Sequence, residues 1–163
     1  MKLLEKEDQM IVKEILKTLC SISNTETGKK LLMQCNITTY VNKLLKHSKD
    51  LNIIKSAVAC ISNIATCDEL KRVLAENHCL LYTLEVFKQA LTKGDNELVK
   101  YCLYFFGNVC EGYPEISYVL GHLSLIPLLA RLFNGNWSKE VLTDGLDSLY
   151  SLLTIERNVY ILM

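Results

Sequence analysis

A short signature returns four times along the chain. Ala59-Cys60-Ile61-Ser62-Asn63-Ile64-Ala65 and Tyr104-Phe105-Phe106-Gly107-Asn108-Val109-Cys110 share their order of apolar, small and polar residues. Leu19-Cys20-Ser21-Ile22 and Leu149-Tyr150-Ser151-Leu152 hold the same place in shorter form. The polar positions Ser21, Asn63, Asn108 and Ser151 lie 42, 45 and 43 residues apart. After each signature come a polar break and an aliphatic pair: Leu31-Leu32, Val73-Leu74, Val119-Leu120 and Ile161-Leu162. In the first three cases a further apolar segment follows, Ile37–Leu45, Cys79–Ala90 and Leu125–Phe133. A period of this length, made of one short helix and two longer ones, predicts units that bury their apolar faces by stacking on one another.

The helical part of that reading rests on spacing. Over Leu51–Thr66, the residues Ile54, Val58, Ile61 and Ala65 share one face, and Glu97–Cys110 and Lys139–Leu153 behave alike. Strand-like alternation is absent, so the chain reads as all-α. Half of its 163 residues are hydrophobic and 22% are charged, which excludes a disordered or collagen-like chain. Two prolines and seven glycines favour long regular elements in a single domain spanning 1–163. Repeat boundaries are expected near residues 24, 67 and 112, with partial repeats at both ends. Ser23-Asn24-Thr25-Glu26 and Thr66-Cys67-Asp68-Glu69 read as capping boxes at the start of short helices, and Pro114 suits a first helical turn. Asp95 or Asn96 and Ser138 are candidate caps of the third helix.

Lys plus Arg and Asp plus Glu both total 18, so the clear basic excess of a nucleic-acid or membrane-surface binder is missing. The charge is unevenly spread. Residues 1–93 hold 14 basic and 10 acidic side chains, and residues 94–163 hold 4 and 8. Seven cysteines, without a CxxC pair and mostly inside apolar runs, read as core residues of a cytosolic or nuclear protein. His47, His78 and His122 show no zinc-ligand spacing, so neither a metal nor another cofactor is expected. No nucleotide-binding, zincin or serine-hydrolase motif occurs, and the chain is not expected to be an enzyme.

At Ala57–Ala65 and Cys102–Cys110 the sequence resembles the third-helix pattern of armadillo-repeat proteins: small, aromatic, Leu, small, Asn, Ile or Val, small. Tyr104-Phe105-Phe106-Gly107-Asn108-Val109, followed by Tyr118-Val119-Leu120 and Ile126-Pro127-Leu128-Leu129, is similar to importin-alpha. The resemblance implies a right-handed armadillo-repeat solenoid of about three and a half repeats, with third helices lining a concave face. It implies an adaptor or scaffold in the cytoplasm or nucleus that binds a protein or extended peptide, in nuclear import if the importin-alpha likeness holds. On that basis Asn63 and Asn108 face the groove, where a carboxamide can both donate to and accept from a ligand backbone. Importin-alpha carries a tryptophan one turn before each asparagine. The equivalent positions here are Lys17, Ala59, Tyr104 and Asp147, and the sole tryptophan, Trp137, falls in a loop. Serine stands at positions 21 and 151, Leu123 stands near the family's glycine between the first two helices, and no arginine-rich importin-beta-binding segment is found.

The contact set expected on the groove is Asn63, Tyr104 and Asn108 with Tyr101 and Asp147 beside them, Tyr101 lying seven residues before Asn108. Lys13, Lys55 and Lys100 recur at one phase on the groove's flank. Such a row is similar to the basic groove of beta-catenin-like scaffolds, which receives acidic partners; a solvated helix edge is the other reading. Glu140, Asp144 and Asp147 form a small acidic patch on the last third helix. Without the tryptophan ladder, the groove near residues 55–108 is expected to prefer a neutral or acidic segment to a polybasic one. The alternative function is an assembly module that self-associates through exposed repeat ends.

Overall fold

A computed structural model describes residues 6–160, with side chains from Gln9 onward, and the expected pair Ile161-Leu162 lies outside the described residues. The described residues form α1 (Lys6–Ile22), α2 (Glu26–Gln34), α3 (Ile37–His47), α4 (Leu51–Ile64), α5 (Asp68–Glu76), α6 (Cys79–Lys93), α7 (Asn96–Cys110), α8 (Pro114–His122), α9 (Leu125–Phe133), α10 (Lys139–Leu153) and α11 (Glu156–Val159). No strand occurs among them. Helices α2–α4, α5–α7 and α8–α10 are three successive units, preceded by the third-type helix α1 and followed by the short first-type helix α11. This is the all-helical armadillo solenoid expected from the repeat.

The third helices form the spine. α1 packs on α4, α4 on α7 and α7 on α10, while α3, α6 and α9 back the third helix of their own unit. Leu16, Val58 and Leu103 on one side of these helices, and Ile53, Leu98 and Val141 on the other, are buried. Each contributes on the order of 1.5–3 kcal/mol by leaving water. Phe87 of α6 meets Phe106 of α7 edge-on, with centroids 5.6 Å apart at 76°, which ties second helix to third helix in the middle unit.

Local chemistry sets the helix ends. The third helices start on side-chain caps: Asp50 accepts from the backbone N–H groups of Asn52 and Ile53, Asp95 from Leu98, and Ser138 from Val141. Pro114 opens α8 as expected. The two capping boxes are corrected. Thr25, not Ser23, caps α2, and Cys67 stands at the start of α5 with no side-chain cap. Ser23 instead donates to the Cys20 carbonyl, and Thr66 donates to the Asn63 carbonyl. Between first and second helices the chain turns through one left-handed residue: Asn36 (φ 54°), His78 (φ 63°) and Ser124 (φ 76°). In the last of these turns the left-handed residue is Ser124, next to Leu123.

Polar contacts also repeat from unit to unit. Lys29 and Lys71, the fourth residues of α2 and α5, are buried. Each ammonium reaches the corner before the next first helix, Lys29 to the Thr66 hydroxyl at 2.6 Å and Lys71 to the Glu111 carbonyl at 2.8 Å. On the surface beside them Lys30 pairs with Glu69 at 2.7 Å and Arg72 with Glu115 at 3.1 Å. At the next step the same two positions hold Tyr118 and Arg157, and the guanidinium lies 5.9 Å from the ring centroid. Such exposed pairs each contribute about 0–1 kcal/mol, so their repetition fixes register more than it adds stability. The final anchor is Asn158, buried against α8, which donates to the Ser117 and Leu152 carbonyls. It fits only because residue 121 is glycine: a Cβ there would sit 2.4 Å from the Asn158 oxygen.

Left-handed backbone costs a non-glycine residue roughly 1–2 kcal/mol, and asparagine tolerates it best. His78→Gly and Ser124→Gly should each raise stability by about 0.5–1 kcal/mol once glycine's larger unfolded-state entropy is deducted. Asn36→Gly should change it little. Urea unfolding followed by circular dichroism measures all three, and destabilisation by the first two would contradict the assignment.

Candidate functional site

The third helices leave a polar groove between them. Lys17, Cys20 and Ser21 of α1, Asn52, Lys55, Ser56 and Ala59 of α4, and Glu97 and Tyr101 of α7 enclose a volume of about 460 Å³. The floor is shallow because α4 presents small residues there, Ser56 and Ala59, and the neighbouring helices approach closely enough for the Cys20 thiol to reach the Ser56 carbonyl at 3.3 Å. Every backbone carbonyl within these helices already serves the helix, so whatever recognises a ligand here must be a side chain.

Two of the expected residues, Lys55 and Tyr101, line this groove directly. Asn63 and Asn108 are half-buried at successive joints. Asn63 donates to the Ser23 hydroxyl at 3.0 Å and to the Asn24 side-chain oxygen at 2.9 Å, and Asn108 donates to the Ser62 carbonyl at 3.1 Å. Their amide nitrogens hold neighbouring repeats together. Neither Oδ1 has a partner among the described residues, so the free half of each carboxamide is an acceptor.

The lysine row is tied to acids. Lys13 pairs with Asp50 at 2.7 Å, and Lys55 pairs with Asp95 at 3.1 Å and Glu97 at 2.7 Å. In both cases the lysine of one third helix grips the acid that caps the next. The Lys13 ammonium holds the Asp50 carboxyl below its ordinary range. Burial works against the Lys55 ammonium, but Glu97 and Asp95 together lift it above its ordinary value. These acidic partners were missed in the sequence. The signal lay in the caps: an aspartate that starts a helix one repeat downstream is within reach of the lysine.

Lys100 is different because its downstream cap is Ser138. Its ammonium lies 5.5 Å from the centroid of the exposed Tyr104 ring. Asp144 and Glu140 of α10 are close enough to influence it. Asp144 is half-buried, its Oδ2 has no partner, and burial raises its carboxyl above the ordinary range against the opposing pull of Lys100. Asp147 is exposed on the same helix, one turn onward. The structure thus brings Lys100, Tyr104, Asp144 and Glu140 together at the α7–α10 end. Lys55 with Asp95 and Glu97 carries net −1, and Lys100 with Glu140, Asp144 and Asp147 carries net −2. The α7–α10 end is acidic on balance, whereas Lys17, Lys55 and Glu97 along the groove between α1 and α7 leave that stretch without an acidic excess.

No group of three or more His, Cys, Asp or Glu that would hold a metal gathers among the described residues. Cys60, Cys67, Cys79, Cys102 and Cys110 are buried, Cys20 is half-buried and Cys35 is exposed. Burial pushes the Cys79 thiol up to about 12 and the Cys110 thiol to about 11, so both are neutral packing groups. No single described helix is long and apolar enough to cross a membrane.

No protein-family model matches the chain, and no curated protein matches it by sequence. Solved structures do match the fold. A designed armadillo repeat protein in complex with the peptide (KR)4 superposes with a TM-score of 0.80 at 23% identity, over 93% of this chain and 62% of that one. A computationally designed armadillo repeat protein for modular peptide recognition gives 0.80 at 23%, over 92% and 61%. A further designed armadillo repeat protein gives 0.79 at 24%, over 93% and 62%. The chain therefore spans about three-fifths of the length of each.

Asp144 offers a direct check of the site's electrostatics. Its carboxyl is raised by burial, so folding favours the protonated form, and the charge it carries at neutral pH opposes folding. Asp144→Asn should raise the urea midpoint at pH 7. The difference from the parent should close below about pH 4, where the carboxyl is protonated in folded and unfolded chains alike. A destabilised variant at pH 7 would show that Lys100 outweighs burial.

Proposed function

We propose that the chain is a peptide-binding repeat module, an adaptor or scaffold of the importin-alpha kind, that holds an extended polypeptide segment along its third-helix groove. The carrying observation is the pair of unpartnered carboxamide oxygens on Asn63 and Asn108. Both lie toward the C-terminal ends of third helices at equivalent positions of successive units, beyond the residues that line the groove itself. Each can accept an N–H from a ligand main chain whatever its side chains, which is how a repeat surface grips a segment without reading every residue. The designed neighbours, one for modular peptide recognition and one in complex with (KR)4, support the same class of ligand.

Polarity comes from the acids. With Lys13 and Lys55 already paired, the remaining bias is the acidic end at Glu140, Asp144 and Asp147, next to the one aromatic at a tryptophan position of the resemblance, Tyr104. A cationic side chain of the ligand laid over Tyr104 would displace Lys100 and come within reach of the exposed acids Glu140 and Asp147. The segment preferred is therefore one with a lysine or arginine at this end and neutral residues along α1–α4–α7. A fully acidic segment, as a beta-catenin-like groove takes, is disfavoured.

Fluorescence anisotropy with three labelled peptides of equal length decides this: one lysine- and arginine-rich, one neutral, one acidic. The basic peptide should bind tightest. Tyr104→Ala should weaken it by about 2–20-fold, the range of one lost cation–π contact. Asn108→Ala should weaken basic and neutral peptides by the same factor, since it acts on the backbone. Tighter binding of the acidic peptide, or indifference to both substitutions, would overturn the reading.

A further inference from the structure

The middle of the groove is built from side chains of unequal size. In the register set by Ser21, Asn63, Asn108 and Ser151, Ser56 and Ala59 of α4 stand where α7 carries Tyr101 and Tyr104 and α1 carries Glu14 and Lys17. Small residues on the central helix thus lie between long ones on both neighbours. The difference in size leaves the hollow of about 460 Å³ that Ser56 and Ala59 line. Tyr101 closes it on the α7 side, half-buried, with its hydroxyl 3.4 Å from the Glu97 carboxylate. Cys20 and Lys17 close it on the α1 side.

Charge does not select what enters this hollow. Lys55 is held by Asp95 and Glu97, and Lys17 pairs with Glu14 at 2.6 Å. A charged ligand side chain of either sign would have to break an existing pair to make a new one. Size and surface do select. Cys20, Ala59 and the Tyr101 ring offer half-buried, uncharged surface. Lys55 reaches across to the acids of α7, so its methylene stem spans the α4–α7 seam and adds apolar cover. The rim is polar, with the exposed Ser21 hydroxyl and Asn52 carboxamide. An aliphatic side chain would cover those groups without satisfying them. An aromatic one with an N–H or O–H at its edge can lie against the Tyr101 ring and keep its polar tip at the rim.

We infer that the hollow over Ser56 and Ala59 receives one aromatic side chain of the bound segment, a tryptophan or tyrosine, and that Ala59 is the residue that sets this specificity. The inference rests on the peptide-binding reading and deepens it. The aromatic residue sits on the α1 side of the cationic one that Tyr104 receives, so the segment is read at two places by two different chemistries. A larger residue at position 59 would fill the hollow and leave the second place as it is.

Two measurements test it. In the first, N-acetyl-tryptophanamide is titrated into the whole chain to millimolar concentration and followed by NMR. The Tyr101 ring resonances should shift, with N-acetyl-leucinamide shifting them less and N-acetyl-glycinamide not at all. Ala59→Phe should abolish the shift, Ala59→Leu should do the same, and circular dichroism verifies that both variants are folded. In the second, lysine- and arginine-rich peptides of equal length and charge carry one tryptophan, leucine or glycine at successive central positions. At one position the tryptophan form should bind about tenfold tighter than the glycine form, and in Ala59→Phe the two should bind alike. Equal affinity of both forms at every position, a tryptophan preference that survives Ala59→Phe, or a Tyr101 ring indifferent to N-acetyl-tryptophanamide would each overturn the inference, and the peptide-binding reading would stand. A Tyr101 shift that Ala59→Phe abolishes, without binding of any peptide, would support an aromatic site at Ala59 and overturn the peptide-binding reading instead.

Discussion

Each third helix carries apolar residues on more sides than its own repeat can cover. Val58 and Ile53 of α4 are closed from opposite directions, and α4 packs on α7 ahead of it and α1 behind it. A single repeat would leave one of those faces in water, at a cost comparable to the stability of a whole small domain once several residues are counted. Everything else follows from that dependence. Helix lengths match because the spine must stay in register. Turns are short because each unit must return its next third helix to the same edge, and the groove exists because the helices meet there through small side chains.

The fold was legible because the dependence is written as a period. The expected bounds of α9 and α10 coincide with those observed, and Asp95, Ser138 and Pro114 perform the capping roles that their positions suggested. What failed was local chemistry that has a non-local use. Ser23 and Thr66 match the start of a capping box, yet Ser23 takes a hydrogen bond from Asn63 and Thr66 one from Lys29, both from a neighbouring repeat. The two readings of the lysine row stayed open for the same reason. Helix phase places Lys55 on a flank, but phase along one helix cannot show that the cap of the next helix, Asp95, arrives beside it. The candidate site was legible as a face and not as a charge. The face depends on spacing within helices, and the charge depends on pairs formed between them.

Buried polar groups divide the labour in this molecule. Lys29 and Lys71 place an ammonium in the interior, pair it with Glu26 and Asp68 of their own helices and complete its hydrogen bonds on oxygen atoms of the adjoining corner, so a displaced repeat would leave those inter-repeat bonds unmade in a dry setting. Asn158 does the equivalent for α11 with two carbonyls and a neighbour that has no side chain. These contacts add little net energy when made and a large penalty when missed. They act against wrong registers rather than for the right one, which suits a stack whose apolar surfaces are similar enough to pack in several ways.

Ser138 has a mechanical meaning. At the first two spine joints an ion pair between lysine and cap draws the groove-side edges of neighbouring third helices together. At the third, the cap is an uncharged serine, Lys100 folds back onto its own helix, and neutral hydrogen bonds span the seam, from the Ser138 N–H to the Asn96 side-chain oxygen at 3.4 Å and from the Ser148 hydroxyl to the Leu103 carbonyl. The solenoid is thus a spring of uneven stiffness, firm through α1, α4 and α7 and compliant between α7 and α10. Changes in curvature concentrate at that softer seam, so the mouth of the groove can widen there while the rest of its length keeps its pitch.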